Sequence, residues 1–125
     1  MTDRHYFPVT VSGGVRYRQT TPIRGGEQLN QLRWYHSADT GQVATLELSV
    51  LPDNSDTGPG FQVYNRASID LGTAFLAAPR QSPQQSDGTD TGFSDSVPFV
   101  ATGELQLTVT PADTGVVIDG RCYVW

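Results

Sequence analysis

Apolar and polar positions alternate strictly along several stretches of this chain. Between Gln42 and Leu51, residues Ala44, Leu46, Leu48 and Val50 fall on one side, and Val43, Thr45, Glu47 and Ser49 on the other. A period of two is the mark of an antiparallel strand buried on one face. Phe99 to Thr110 repeats it, with Leu105, Leu107 and Val109 opposed to Glu104, Gln106 and Thr108. Gly14 to Arg18 sets Val15 and Tyr17 against Arg16 and Arg18, and Phe61 to Asn65 alternates as well. Val116 to Trp125 predicts a last strand interrupted at Asp119-Gly120, a turn or bulge signal. A bulge at Gly120 would re-phase the pleat and bring Cys122 and Val124 onto one face.

Helical periodicity is nearly absent. Positions 26 to 36 (GEQLNQLRWYH) fit a turn or two of helix with Leu29 and Leu32 inward, or an extended approach to a strand. The segment is short and ends in aromatics, which favours the extended form. In a strand, Trp34 and Tyr35 point to opposite faces, one to the core and the other to an interface. The last two strands are separated by Pro111-Ala112-Asp113-Thr114-Gly115, which predicts a hairpin. Pro111 cannot donate to a ladder, Asp113 can accept from its own backbone two residues on, and Gly115 can take positive φ. The polar stretch from Pro79 to Asp95 reads as a long surface loop of the kind that carries binding elements. Seven to nine short strands between Gly, Pro and Asp turns predict an all-β chain, an antiparallel β-sandwich or jelly roll, with a barrel as the alternative.

Four Asp-Thr-Gly triplets, beginning at Asp39, Asp56, Asp90 and Asp113, raise the question of an aspartic protease. That chemistry needs two carboxylates sharing one proton in a dry floor between apolar strands. The flanks here are Ser37-Ala38 and Gln42, Asn54-Ser55 and Pro59, and Gly88-Thr89 and Phe93, none of which supplies such a floor. After Gly115 too little chain follows to build the rest of a catalytic half. Turn chemistry explains the recurrence, with Asp as acceptor and Gly permitting left-handed backbone. The chain is read as having no catalytic residues, with the protease as a remote alternative.

Composition narrows the classes further. The 125 residues suit one domain, and a formal charge of −5 argues against non-specific nucleic-acid binding. All eight basic residues are Arg, and Arg4, Arg16, Arg18 and Arg24 lie near the start, whereas Asp87, Asp90, Asp95, Asp113 and Asp119 weight the later part with acid. Arg is suited to bidentate, half-buried contacts with carboxylates at interfaces. The lone Cys122 excludes an intramolecular disulfide and reads as a buried structural thiol rather than a nucleophile. No signal peptide or membrane-length apolar run is visible, so assembly in a cytoplasm without membrane contact is expected. His5 and His36 lack neighbours at zinc-ligand spacing. Asp53, Asp56, Asp87, Asp90 and Asp95 could offer loop oxygens to Ca²⁺, but without the bidentate Glu of a twelve-residue calcium loop they read as solvated acids. No metal or cofactor is therefore expected. A Ser-His-Asp arrangement and a phosphate-binding Gly motif are likewise not discernible.

From Ser96 onward the sequence runs SVPFVATGELQLTVTPADTGVVIDGRCYVW. Its apolar-Pro-Phe opening, its Gly-Glu-Leu-x-Leu-x-Val-Thr strand, its short turn and its aromatic last strand resemble the C-terminal part of small head proteins of tailed phages. Those decoration, or cement, proteins are β-sandwich or jelly-roll modules on the outside of a capsid, often trimeric. The resemblance implies a virion structural protein on the capsid surface, assembled in the host cytoplasm. Its partner would be the major capsid protein, and its expected state a homotrimer. An N-terminal arm (1–10) would precede one β-sandwich domain (11–125). Arg4, His5, Tyr6 and Phe7 of that arm, with Arg16 and Arg18, are the expected capsid contacts, since aromatics and Arg dominate interface hot spots. Tyr6 and Phe7 can equally begin the first strand, with at least one packed inward. Tyr123 and Trp125 on the terminal strand are the expected subunit contacts. A carbohydrate-binding or host-adhesion module, using the 79–95 loop with Trp34 or Tyr35, is the alternative.

Overall fold

The computed structural model describes residues 5–36, 41–51, 61–77, 80–81 and 97–125. The described residues form nine strands and no helix: β1 (His5–Val11), β2 (Tyr17–Leu29), β3 (Leu32–His36), β4 (Val43–Leu51), β5 (Phe61–Asp70), β6 (Phe75–Ala77), β7 (Arg80–Gln81), β8 (Val97–Pro111) and β9 (Ile118–Val124). One sheet has the order β1-β9-β3-β6, and the other the order β2-β8-β4-β5, with β7 paired to β8 beside that path. Every pairing is antiparallel.

The topology is that of one long ribbon folded over. β4 pairs with β5 at its apex, and β3 with β6, β2 with β8 and β1 with β9 follow outward. Wrapping this ribbon around a core sends its strand pairs alternately to the two sheets, which is the jelly-roll arrangement. Each sheet keeps two edges, so the strands make a sandwich and not a closed barrel.

Alternation decides which side chains meet between the sheets. β4 buries Ala44, Leu46, Leu48 and Val50 and leaves Val43, Thr45, Glu47 and Ser49 partly covered, as the period of two requires. Leu105, Leu107 and Val109 of the neighbouring β8 lie beside them on the same inner face, in register pairs Leu48↔Leu107 and Leu46↔Val109. Trp34 and Phe7 are the largest side chains in this core. Trp34 points inward and donates its indole N–H to Leu71 O at 2.8 Å, while its neighbour Tyr35 points out. The segment 26–36 is extended, as its aromatic end indicated.

Four expectations change. Pro111 to Gly115 does not close a hairpin, because β8 lies between β2 and β4 in one sheet and β9 between β1 and β3 in the other. The connection is a crossover between sheets, and a short turn-rich linker serves either geometry. Its local chemistry is as expected at Asp113, whose Oδ1 accepts from Gly115 N at 2.8 Å, but Gly115 does not adopt positive φ. Gly120 is not a bulge: the register from Val11↔Ile118 to His5↔Val124 is unbroken, and Ile118, Gly120, Cys122 and Val124 share the buried face. Val15 lies outside the strand, 70% exposed in the turn before β2, where Gly13 and Gly14 both take positive φ.

The fourth change concerns the arm. His5 to Val11 is an integral edge strand with alternating burial, and Phe7 is fully buried while His5 is nearly so. The division at residue 10 therefore does not hold for these residues: removing Phe7 and Val9 would open the core. Arg4 lies outside the described residues, as do the triplets at Asp56 and Asp90, the five loop aspartates weighed for Ca²⁺, and most of the 79–95 loop. Arg80 and Gln81 pair with Pro98 and Val97 within that loop's start.

Candidate functional site

The outer face of the β1-β9-β3-β6 sheet is built by one pattern used twice. β3 carries Arg33-Trp34-Tyr35 and β9 carries Arg121-Cys122-Tyr123. In each triplet the middle residue is fully buried, so the pleat sends Arg and Tyr outward. The antiparallel register pairs Arg33 with Tyr123 and Tyr35 with Arg121. The result is a checkerboard of two guanidiniums and two phenols, with like groups on the diagonals. β1 extends it through Tyr6↔Tyr123 and Pro8↔Arg121, and β6 through Arg33↔Leu76.

The rings make specific contacts. Tyr6 and Tyr123 lie 5.0 Å apart, tilted by 34°, and Tyr35 meets Tyr123 edge-on at 5.6 Å. Both geometries suit rings with negative faces and positive edges. The Arg33 guanidinium carbon is 6.0 Å from the Tyr35 ring centroid, and Arg33 Nη1 donates a long hydrogen bond of 3.3 Å to Tyr35 Oη. Arg33 Nε is buried without an acceptor. Trp125 follows β9 and is held in line by backbone bonds: its N–H donates to Gln31 O, and its O accepts from Asn30 N and Gln31 N. Arg33, Tyr35, Arg121, Tyr123 and Trp125 line an open cavity of about 340 Å³. A smaller hollow of about 180 Å³ continues over Ala74, Phe75 and Leu76. Tyr6 and Leu76, about half exposed, flank these hollows.

The expected site residues separate into groups. Tyr6, Tyr123 and Trp125 converge on this face. Phe7 and His5 turn inward instead, so they do not offer a contact surface. Arg16 is exposed in the β1–β2 turn. Arg18 lies on the outer side of the opposite sheet, in register with Thr108. Arg33, Arg121 and Leu76 are not marked by the sequence pattern, and Tyr35 is marked only together with Trp34, as one of a pair pointing to opposite faces and as one of two candidates for a glycan contact. The repeated Arg-x-Tyr triplet was the available signal.

Other chemistry on the described residues is modest. Burial pushes the Cys122 thiol up to about 12, which keeps it protonated and unreactive. Burial first, then the nearby Cys122 and Tyr6, raise the Tyr17 phenol to about 12. Asp113 is exposed at a crossover turn with one carboxylate oxygen occupied by Gly115 N–H, not on a dry floor. Asp70 is held below the usual carboxylate range by backbone N–H groups of Gly41 and Gly72, each at 2.9 Å, helped by Gln42 and His36 and opposed by burial. Among the described residues no three His, Cys, Asp or Glu side chains gather where they could hold a metal ion. No family model, curated protein or solved structure matches the chain.

Proposed function

We propose that this chain is a virion structural protein, a capsid decoration or cement protein that binds the outside of a phage head. The observation that carries the reading is the outer sheet face, where Tyr6, Tyr35, Tyr123, Trp125, Arg33 and Arg121 are presented together on paired strands. Tyr, Trp and Arg are the residue types that dominate interface hot spots, and a sheet holds them with little rotational freedom left to lose. The resemblance of the segment from Ser96 onward supports the same role and supplies the partner, the major capsid protein. It also supplies the proposed homotrimer and the proposed location on the capsid surface.

Such a protein acts by linkage. A copy that binds only the assembled lattice stabilises it in proportion to the logarithm of occupancy over affinity. The test is co-sedimentation with undecorated heads built from the proposed partner, the major capsid protein, and the thermal disassembly temperature of those heads. Binding that raises this temperature, is lost in Tyr123→Ala and is retained in Arg18→Ala supports the reading. Absence of binding to the heads overturns it, and loss only in Arg18→Ala moves the contact to the opposite sheet.

A glycan-binding reading draws on the same cavity, because Tyr35 stands exposed beside two arginines. Trp34 has no part in it, being fully buried. Specific retention on a glycan array without head binding would favour this reading.

A further inference from the structure

The protein as a whole is acidic, yet among the described residues the 340 Å³ cavity is lined by two arginines and three aromatics, with no Asp or Glu side chain. Neither guanidinium is ion-paired among the described residues. Among the described residues of the strand pattern the nearest acid is Asp119, two residues before Arg121 on the same exposed face of β9 and opposite Thr10. Sheet geometry sets the Cβ atoms of a diagonal pair such as Arg33 and Arg121 roughly 7 Å apart. Two arginines rooted this close on one face set like charges near one another, and a single anion between them relieves the repulsion.

We propose that this cavity binds a carboxylate, the Asp or Glu side chain of a partner protein, between Arg33 and Arg121. The inference deepens the proposed role of this face by naming the chemistry of its central contact, and it rests on that role for the partner's being a protein. Three features favour a carboxylate on an apolar stem. Arg33 spends Nη1 on a weak 3.3 Å bond to Tyr35 and leaves Nε without an acceptor, so an entering acceptor improves its bonding. Arg presents a planar fork of donors that matches a carboxylate. Tyr35, Tyr123 and Trp125 wall the cavity with ring surface that covers the methylenes of the acid and excludes water from the pair. A second copy of this chain in a face-to-face contact would set arginines against arginines, which disfavours self-association through this face.

The test uses the isolated full chain, so its outcome does not depend on head binding. The probe is a blocked peptide, acetyl-Leu-Glu-Leu-amide, compared with its Gln counterpart and with free N-acetylneuraminic acid. Binding is followed by the Arg Nε–H resonances and by Trp fluorescence. The Glu peptide is expected to shift the Arg33 and Arg121 signals and to bind about tenfold more tightly than the Gln peptide. Arg121→Gln, an exposed substitution on a packed strand, should reduce that affinity about tenfold, and Arg18→Gln should leave it unchanged. Equal binding of the Glu and Gln peptides overturns the proposal. So does equal loss in the Arg121→Gln and Arg18→Gln variants. Tighter binding of the sugar acid than of the Glu peptide overturns the protein side chain as occupant. Head binding that persists while the Glu peptide fails sinks the carboxylate contact alone.

Discussion

The indole of Trp34 rests on Gly120. A Cβ at Gly120 would lie 2.5 Å from Cζ2 and 2.6 Å from Cη2 of that ring, and 2.8 Å from the backbone oxygen of Tyr35. Glycine is required here for space and not for backbone conformation, since φ at Gly120 is not positive. The close approach leaves room for the largest core side chain, whose indole N–H reaches Leu71 O. Gly120→Ala is expected to cost about 2–3 kcal/mol by overpacking a core that has no room to give. Urea unfolding followed by Trp fluorescence checks this, and a loss below about 0.5 kcal/mol would show that ring and strand separate easily.

Much of the fold was legible where burial and pleat coincide. The alternation of Val43 to Leu51 and of Leu105 to Val109 predicted both strands and their inward faces, because one side of each meets the core. Connectivity was not legible at Pro111–Gly115. Asp113 and Gly115 make the expected turn contact, but whether the chain then pairs with β8 or crosses to the other sheet depends on partners distant in sequence. Gly120 misled for a related reason, since a glycine spared for a neighbour's ring looks the same as one that bends a strand. The outer face was half legible: the terminal strand marked Tyr123 and Trp125 as contact residues, there as expected subunit contacts. Arg33 and Arg121 gained meaning only when β3 and β9 were found side by side.

Asp70 ties the β5–β6 turn to the approach to β4. Its two oxygens accept from Gly72 N and Gly41 N, and Leu71 N donates to Gln42 O beside them. Gly41 takes positive φ, 88°, to aim its N–H at that carboxylate. The Asp70 pKa is lowered in the folded chain, so its contribution is present above the unfolded value of about 3.9 and is lost as pH falls through the folded value. Amide exchange at Gly41 and Gly72, corrected for intrinsic rate, should accelerate on acidification through this window. Asp70→Asn should show the faster exchange already at neutral pH. Unchanged protection in the variant would mean that the backbone bonds of Leu71 hold the turn alone.

Cys122 and Tyr17 make the opposite prediction in alkali. Both fold with raised pKa values of about 12, so below their unfolded values of about 8.5 and about 10 the folded and unfolded chains are equally protonated. Above those values the unfolded chain releases protons that the folded chain retains, and stability falls as pH climbs toward the folded values. The urea midpoint should therefore decline from about pH 8.5 upward, first through Cys122 and then through Tyr17. Cys122→Ala should remove the earlier part of the decline at some cost from a small cavity. Thiol labelling at pH 8 should be negligible in the folded protein and complete in urea. Rapid labelling without denaturant would place the thiol at the surface.

Tyr123 is the hub of the outer face, because its ring touches both Tyr6 across one strand boundary and Tyr35 across the other. Cross-strand aromatic pairs of this geometry contribute about 0.5–1.5 kcal/mol beyond area burial. A double-mutant cycle between Tyr6→Ala and Tyr123→Ala should therefore give a coupling energy of about 0.5–1 kcal/mol in urea unfolding. Arg18→Ala with Tyr123→Ala should be additive, since Arg18 lies on the other sheet. The single Tyr6→Ala change removes a ring that is 47% exposed, so it should cost little stability by itself. A face kept for a partner should then show a larger effect of Tyr6→Ala on head binding than on unfolding. Equal effects on both would assign Tyr6 to holding β1 against β9 and leave the contact to Tyr35, Arg33 and Arg121.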